Sequence, residues 1–305
     1  LGPRFAGEPP SGQENPSVEP AVRVKTASFH HSDGELRAMG ADAEAVSLAS
    51  AAPIAKIQVI EIDGSLVSRS SGMCGWSGLA SYESIKQAIN DGAADASIDA
   101  IMLRVDSPGG EVNGILSLQD AIRAARSVKP VWCCVDSIAF SACCWIATQC
   151  DRVFLTPDGQ MGSIGVIALH YEQSKAEEMV GVKYTAIYAG DHKNDLSPHE
   201  PLDKSAAAAV RADVFAVYET FCAAVAEGRK LDIQAVKGTQ AAIYRGQQCL
   251  DAGLADELGD YDFALNALAS QIAGKRQPNP VTRAEPTQPV TGSDSTPSAT
   301  MANPH

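Results

Sequence analysis

Between residues 53 and 275 the apolar positions fall into short runs whose period alternates between that of a strand and that of a helix. Residues 54–67 are β-rich, with a turn at Asp63-Gly64. Residues 81–90 place Tyr82, Ile85 and Ile89 on one helical face. Residues 100–105 read as a short apolar strand, and 112–125 repeat Val112, Ile115, Leu118 and Ile122 at helical spacing. The series continues with a strand at 130–135, a helix at 141–148 and strands at 153–155 and 164–169. A helix at 172–179, a strand at 184–188 and a long alanine-rich helix at 202–227 follow. This alternation predicts an α/β fold with largely parallel sheets and crossover helices.

The two ends lack the pattern. Residues 1–52 open with Pro3, Pro9, Pro10, Pro16 and Pro20, and continue rich in Ala, Ser and charge. They predict a mostly flexible N-terminal segment with room for a short helix. Residues 277–305 hold six Pro and eight Ser/Thr and no aromatic residue. Such a segment buries too little apolar surface to offset its ordering entropy, so 276–305 reads as a disordered linker or tail. The expected organisation is therefore 1–52, a folded domain over 53–275, and 276–305.

Charge and cysteine content narrow the function classes. Lys+Arg number 24 against 37 Asp+Glu, a net charge of −13. Such a chain is not expected to bind nucleic acid or an anionic membrane, since both favour a positive surface. No run of about 20 apolar residues predicts a membrane-spanning helix. The eight cysteines form neither a Cys-x-x-Cys motif nor a Cys/His ligand spacing, so no metal site is expected. They read as buried thiols in a reducing compartment.

Two strand-to-helix junctions carry candidate chemistry. Ser107-Pro108-Gly109-Gly110 follows one apolar strand. Its glycines permit positive φ and close backbone approach, and N–H groups opening the next helix suit an oxyanion or phosphate. A plain tight turn is the other reading. Ser141 follows the next strand and stands where a helix begins, so it is either a nucleophile beside oxyanion donors or a helix N-cap. A serine nucleophile needs a base. Of the six histidines, none lies in a Gly-x-Ser-x-Gly setting. The competing base is Lys193, on a loop between a strand and the long helix. A lysine acts as base only when neutral, which desolvation favours.

Taken in order, these residues resemble the signal peptide peptidase A family of serine endopeptidases. The similarity runs through Asp106-Ser107-Pro108-Gly109-Gly110, Ser141-Ala142 with Trp145-Ile146-Ala147, and Gly162-Ser163-Ile164-Gly165-Val166. It continues through Tyr188-Ala189-Gly190-Asp191-His192-Lys193, then Tyr244-Arg245-Gly246-Gln247-Gln248 with Ala252-Gly253-Leu254-Ala255-Asp256-Glu257. Within the family the chain is most similar to phage capsid (prohead) maturation proteases, in which a tail after 275 would lead to a scaffold region. The chain departs from the family's usual small residues after the nucleophile, with Cys143-Cys144 in their place.

The resemblance implies a Clp-protease/crotonase-like fold and a Ser–Lys dyad. Ser141 would be the nucleophile and Lys193 the general base. The N–H groups of Gly110 and Ala142 would form the oxyanion hole, with Gly109 and Ser163 supporting the site. It implies no cofactor and no metal. The implied substrates are scaffold, capsid and portal proteins and the chain itself, cleaved inside the assembling prohead in the host cytoplasm. It also implies a homo-oligomer with no nucleic-acid or membrane partner. The alternatives are a bacterial signal-peptide-degrading peptidase and a catalytically dead assembly or scaffold factor.

Overall fold

Most of the predicted strands and helices form in the computed structural model, which describes residues 21–32, 35–39, 54–69 and 78–276. The chain enters through β1 (Val22–Ser32), β2 (Glu35–Met39), β3 (Ala55–Asp63), β4 (Ser65–Val67) and β5 (Leu79–Ser81). Then come α1 (Tyr82–Ala94), β6 (Ala100–Ser107), α2 (Ile115–Arg126), β7 (Val131–Phe140), α3 (Ala142–Ala147), β8 (Arg152–Leu155) and β9 (Gln160–Gly162). After α4 (Ser174–Met179) and α5 (Lys204–Arg229) the chain closes with α6 (Ile233–Gly238), β10 (Ile243–Arg245), α7 (Gln247–Asp251), β11 (Glu257–Leu258) and α8 (Tyr261–Arg276).

The main sheet runs β10-β9-β7-β6-β3-β1-β2, with β8 and β11 branching from β7. Pairing is parallel through β3, β6, β7, β8, β9 and β11, and antiparallel where β1, β2 and β10 join. The fold is thus mixed α/β with a mostly parallel sheet. Strands buried on both faces explain the continuous apolar runs. On one face Ile60, Ile62, Leu103, Val105, Cys133 and Val135 meet α1, α2, α3 and α5. On the other, Ile57, Val59, Met102, Trp132 and Cys134 meet Leu265, Leu268 and Ile272 of α8.

Three sequence expectations are corrected. The N-terminal segment is not flexible throughout, because β1 pairs antiparallel with β3 from Val22↔Ile62 to Phe29↔Ala55 and buries Phe29. Residues 1–20 and 40–53, like the tail after 276, lie outside the described residues. Second, 164–169 and 184–188 form no strand. Ile167, Leu169 and Ile187 are exposed, and apolar alternation without a neighbouring strand makes no ladder. Third, α2 starts at Ile115 rather than 112, because Gly114 takes a left-handed φ of 97°.

β7 aims the site. Its first half pairs with β8 and its second half with β9, so it outruns the sheet on one side and delivers the chain to Ser141. The helix that follows is held deep in the fold. Trp145 stacks on Phe221 of α5 at 4.6 Å and donates its indole N–H to Gln119 of α2. Buried Gln149 donates to Trp145 O and Ala224 O and accepts from Arg123. These contacts fix α3 against α2 and α5.

Candidate active site

Ser141 joins β7 to α3 in a backbone conformation that L-residues avoid, with φ 50° and ψ −121°. Holding a non-glycine residue there costs on the order of 1–3 kcal/mol. Gly246, at the junction of β10 and α7, adopts nearly the same pair, φ 48° and ψ −118°, without a Cβ. The chain therefore uses glycine for this turn where no side chain is needed, and serine where one is. The N-cap reading of Ser141 fails on geometry. Ser81, Asp203 and Asp232 cap α1, α5 and α6 from extended backbone, each accepting from an N–H of the first turn. Ser141 makes no such bond. Its backbone is held instead by Ser141 N–H donating to Gly162 O at 3.0 Å and Trp145 N–H donating to Ser141 O at 3.0 Å.

The glycine turn lies directly against this junction. Gly109 has φ 96°, and a Cβ there would meet Phe140 O at 2.7 Å, Ser141 Cβ at 2.8 Å and Ala142 N at 3.0 Å. Gly110 is pinned from the other side. It forms a parallel bridge with Leu66, in which Leu66 N–H donates to Gly109 O and Glu111 N–H donates to Leu66 O. A Cβ on Gly110 would lie 1.9 Å from Leu66 O. In a parallel bridge the central residue's own N–H points away from the partner strand. Gly110 thus turns its N–H outward from β4, and its place is a bridged turn well ahead of α2 rather than the opening of a helix. Ala142 N–H opens α3, where the first amides have no intrahelical acceptor. Ser141, Ala142, Gly109 and Gly110 are therefore brought together.

Ser163 sits beside them at the end of β9, also at positive φ (54°), one residue past the Gly162 carbonyl that holds Ser141. Its N–H donates to Ala242 O at 3.0 Å. Lys193 is not brought in. It stands exposed on an arm between β9 and α5, and among the described residues no hydrogen bond or ion pair joins its side chain to Ser141. The arm is tied to itself. Gln173 N–H donates to Pro198 O, His199 bonds Glu177 at 2.6 Å, and Tyr184 stacks on the His199 ring at 3.8 Å. Next to Lys193, His192 bonds Asp195 at 2.9 Å.

The thiols behind the nucleophile are inert by burial. Cys143 and Cys144 are fully buried. Desolvation pushes the Cys143 thiol far up and the Cys144 thiol up to about 12, so neither supplies a thiolate near neutral pH. Sequence reasoning missed Leu66, whose backbone clamps the glycine turn; a strand of three residues carries no motif that flags it. A cleft of about 200 Å³ opens beside the junction, lined by Val112, Gly114, Leu116, Trp145 and Val217 among others. It begins two residues past Gly110 and one helical turn past Ser141.

A family model described as Peptidase family S49 matches residues 123–274. The chain is 34% identical over 220 residues to "Capsid assembly protease C" of Escherichia phage lambda, covering 72% of this chain and 50% of that protein. It is 34% identical over 216 residues to "Head-tail preconnector protein GP5" of Enterobacteria phage P21, covering 71% of this chain and 43% of that protein. A "Putative signal peptide peptidase SppA" of Enterococcus faecium is 29% identical over 182 residues, 58% of this chain and 52% of its own length. The chain thus spans about half the length of these relatives. No described helix is long and apolar enough to cross a membrane.

Proposed function

Over residues 123–274 the chain belongs to peptidase family S49, and from that premise we propose that it is a serine endopeptidase of phage prohead maturation. The observation that carries the reading is the strained Ser141 junction with the Gly109-Gly110 backbone against it. Such strain persists where function needs it. The higher identity to two phage proteins named for capsid assembly and head-tail preconnection favours the prohead role over signal-peptide degradation.

In this reading Ser141 and Lys193 form the dyad, and 53–275, extended by β1 and β2, is a protease domain of Clp-protease/crotonase-like fold. Neutral Lys193 takes the hydroxyl proton as Ser141 Oγ attacks the scissile carbonyl carbon. The carbonyl electrons move onto oxygen, where the Gly110 and Ala142 N–H groups hold the charge. Collapse breaks the C–N bond, and Lys193 returns its proton to the leaving amine. Water then repeats the sequence on the acyl ester. The scheme uses no metal or cofactor. Lys193 reaches a serine through association of copies, which the exposed arm supports. Substrates are scaffold, capsid and portal proteins and the chain itself, within the assembling shell in the host cytoplasm. The apolar cleft beside Trp145 accepts a side chain of the bound peptide.

The test is incubation of wild type, Ser141→Ala and Lys193→Ala with a scaffold-type protein, followed by mass spectrometry of the new termini. Cleavage by wild type alone is expected. Equal cleavage by Ser141→Ala would sink the reading.

A further inference from the structure

β4 and β5 form a two-stranded sheet apart from the main one, with Leu66 opposite Ala80 and Val67 opposite Ser81. This small sheet grips the glycine turn. Leu66 N–H donates to Gly109 O at 2.8 Å, which fixes the peptide plane that carries the Gly110 N–H. In a planar trans peptide the N–H points opposite to the C=O, so this bond aims the proposed oxyanion donor away from β4. Glu111 N–H donates to Leu66 O at 2.9 Å and fixes the next plane. A parallel ladder continued by one step would have Ser68 N–H donate to Glu111 O. Here the ladder breaks. Ser68 N–H donates to the Glu111 carboxylate at 2.9 Å, and Glu111 O accepts from the Tyr82 hydroxyl at 2.5 Å. The Glu111 side chain thus stands in for its own carbonyl, and the carbonyl turns to α1.

Tyr82 is placed to receive it. It follows directly from β5 as the first residue of α1, behind the Ser81 cap, and is 2% exposed. Burial pushes its phenol well up, so it stays a donor at neutral pH. Its ring also backs the far end of the turn, where a Cβ on Gly114 would lie 3.2 Å from Tyr82 Cδ2. Three successive peptide planes, from Gly109 to Val112, are therefore each held by a partner on β4 or α1.

We propose that Tyr82 and Glu111 are positioning residues of the oxyanion hole, the Tyr82 hydroxyl holding the Glu111 carbonyl off the β4 ladder while the Glu111 carboxylate takes its place, so that the Gly110 donor is fixed before charge develops. This rests on the peptidase reading above. Preorganised donors act only if they are already in place, and a misplacement of about 1 Å can cost about 100-fold in rate.

The test measures peptide cleavage and affinity for a peptide aldehyde, which forms a tetrahedral adduct, in wild type, Tyr82→Phe, Glu111→Ala and Glu111→Gln. Tyr82→Phe keeps the ring and removes only the donor. It is expected to lower kcat about tenfold with KM little changed, and aldehyde affinity by a similar factor. Glu111→Ala should behave alike, and Glu111→Gln, which keeps an acceptor oxygen for Ser68 N–H, should recover most of that loss. Melting curves report folding, and if Tyr82→Phe fails to fold, the Glu111 pair carries the same expectation. Wild-type kcat and aldehyde affinity in folded Tyr82→Phe would overturn the proposal, with or without a fall in melting temperature. So would a raised KM at unchanged kcat, or a Glu111→Gln no better than Glu111→Ala. Those results would leave the peptidase reading standing, whereas wild-type cleavage that Ser141→Ala does not abolish would overturn both.

Discussion

Ser141 separates stability from function at a single residue. Its φ of 50° strains any side chain bearing a Cβ, and Gly246 shows that the fold takes glycine in the same conformation. Ser141→Gly and Ser141→Ala should both abolish cleavage, so neither sample is altered by self-processing. They differ in strain. Glycine relieves it, at the cost of a more flexible unfolded chain, which offsets about 0.4–1 kcal/mol. The net expectation is that Ser141→Gly is more stable than Ser141→Ala by about 1 kcal/mol. Paired denaturant titrations would measure this, and equal midpoints would mean that the junction stores no more strain than that offset. The sequence alone left Ser141 open between nucleophile and N-cap. Spacing places a serine at a helix start, but only the backbone angles and the missing cap bond exclude capping.

At the scale of elements, what was legible depended on whether a segment's burial comes from its own sheet neighbours. The strands β3, β6 and β7 were readable because both faces are covered, leaving unbroken apolar runs. β1 was hidden because it is a half-covered strand near the edge, with Arg23 and Lys25 paired to Glu61 across the ladder, and charge of that kind looks like a flexible segment. The runs at 164–169 and 184–188 misled in the opposite direction, since Ile164 is buried but Ile167, Leu169, Tyr184, Ile187 and Tyr188 are exposed. The Asp256 motif is an element clasp rather than chemistry. Asp256 accepts from Val153 N–H at 2.7 Å and from both ends of the Arg229 guanidinium, joining β8, α5 and the approach to β11. Burial works to raise its carboxyl, but the Arg229 and Val153 bonds outweigh burial and hold it below the ordinary value of 3.8. The unfolded chain then binds more protons in the window below 3.8, so stability there rises with pH. The contribution is complete above the unfolded value and is lost as pH falls through the lower folded one. Asp256→Ala should cost about 2–3 kcal/mol at neutral pH. Denaturation from about pH 7 to about pH 2 should show the gap to wild type closing only at the acid end. A gap that stayed constant would assign the loss to packing.

For the whole molecule, the decisive fact is where the two halves of the proposed dyad lie. Ser141 is seated at the end of the central strand, while Lys193 rides an arm that the rest of the chain leaves uncovered. Along that arm Ile167 is 82% exposed, Leu169 90%, Met179 87% and Ile187 96%. Large apolar side chains exposed to this degree along one segment suit a surface that another protein covers. The chain's own copies are the economical partner, because one contact then both buries the arm and brings a lysine to a serine. Complementation tests this. Ser141→Ala keeps a working lysine and Lys193→Ala a working serine, and each alone should be inactive. If each site takes its serine from one copy and its lysine from a neighbour, an equimolar mixture that exchanges subunits regains activity. Each component is intact with probability one half, so about one quarter of the sites are complete, whatever the number of copies in a closed ring. If serine and lysine must come from the same chain, no mixed site is complete and the mixture stays silent. Cleavage rates of the mixture against wild type at equal total concentration, with assembly followed by sedimentation, would decide between the two. Silence in a mixture shown to exchange subunits would return Lys193 to its own chain and require the arm to fold back onto Ser141.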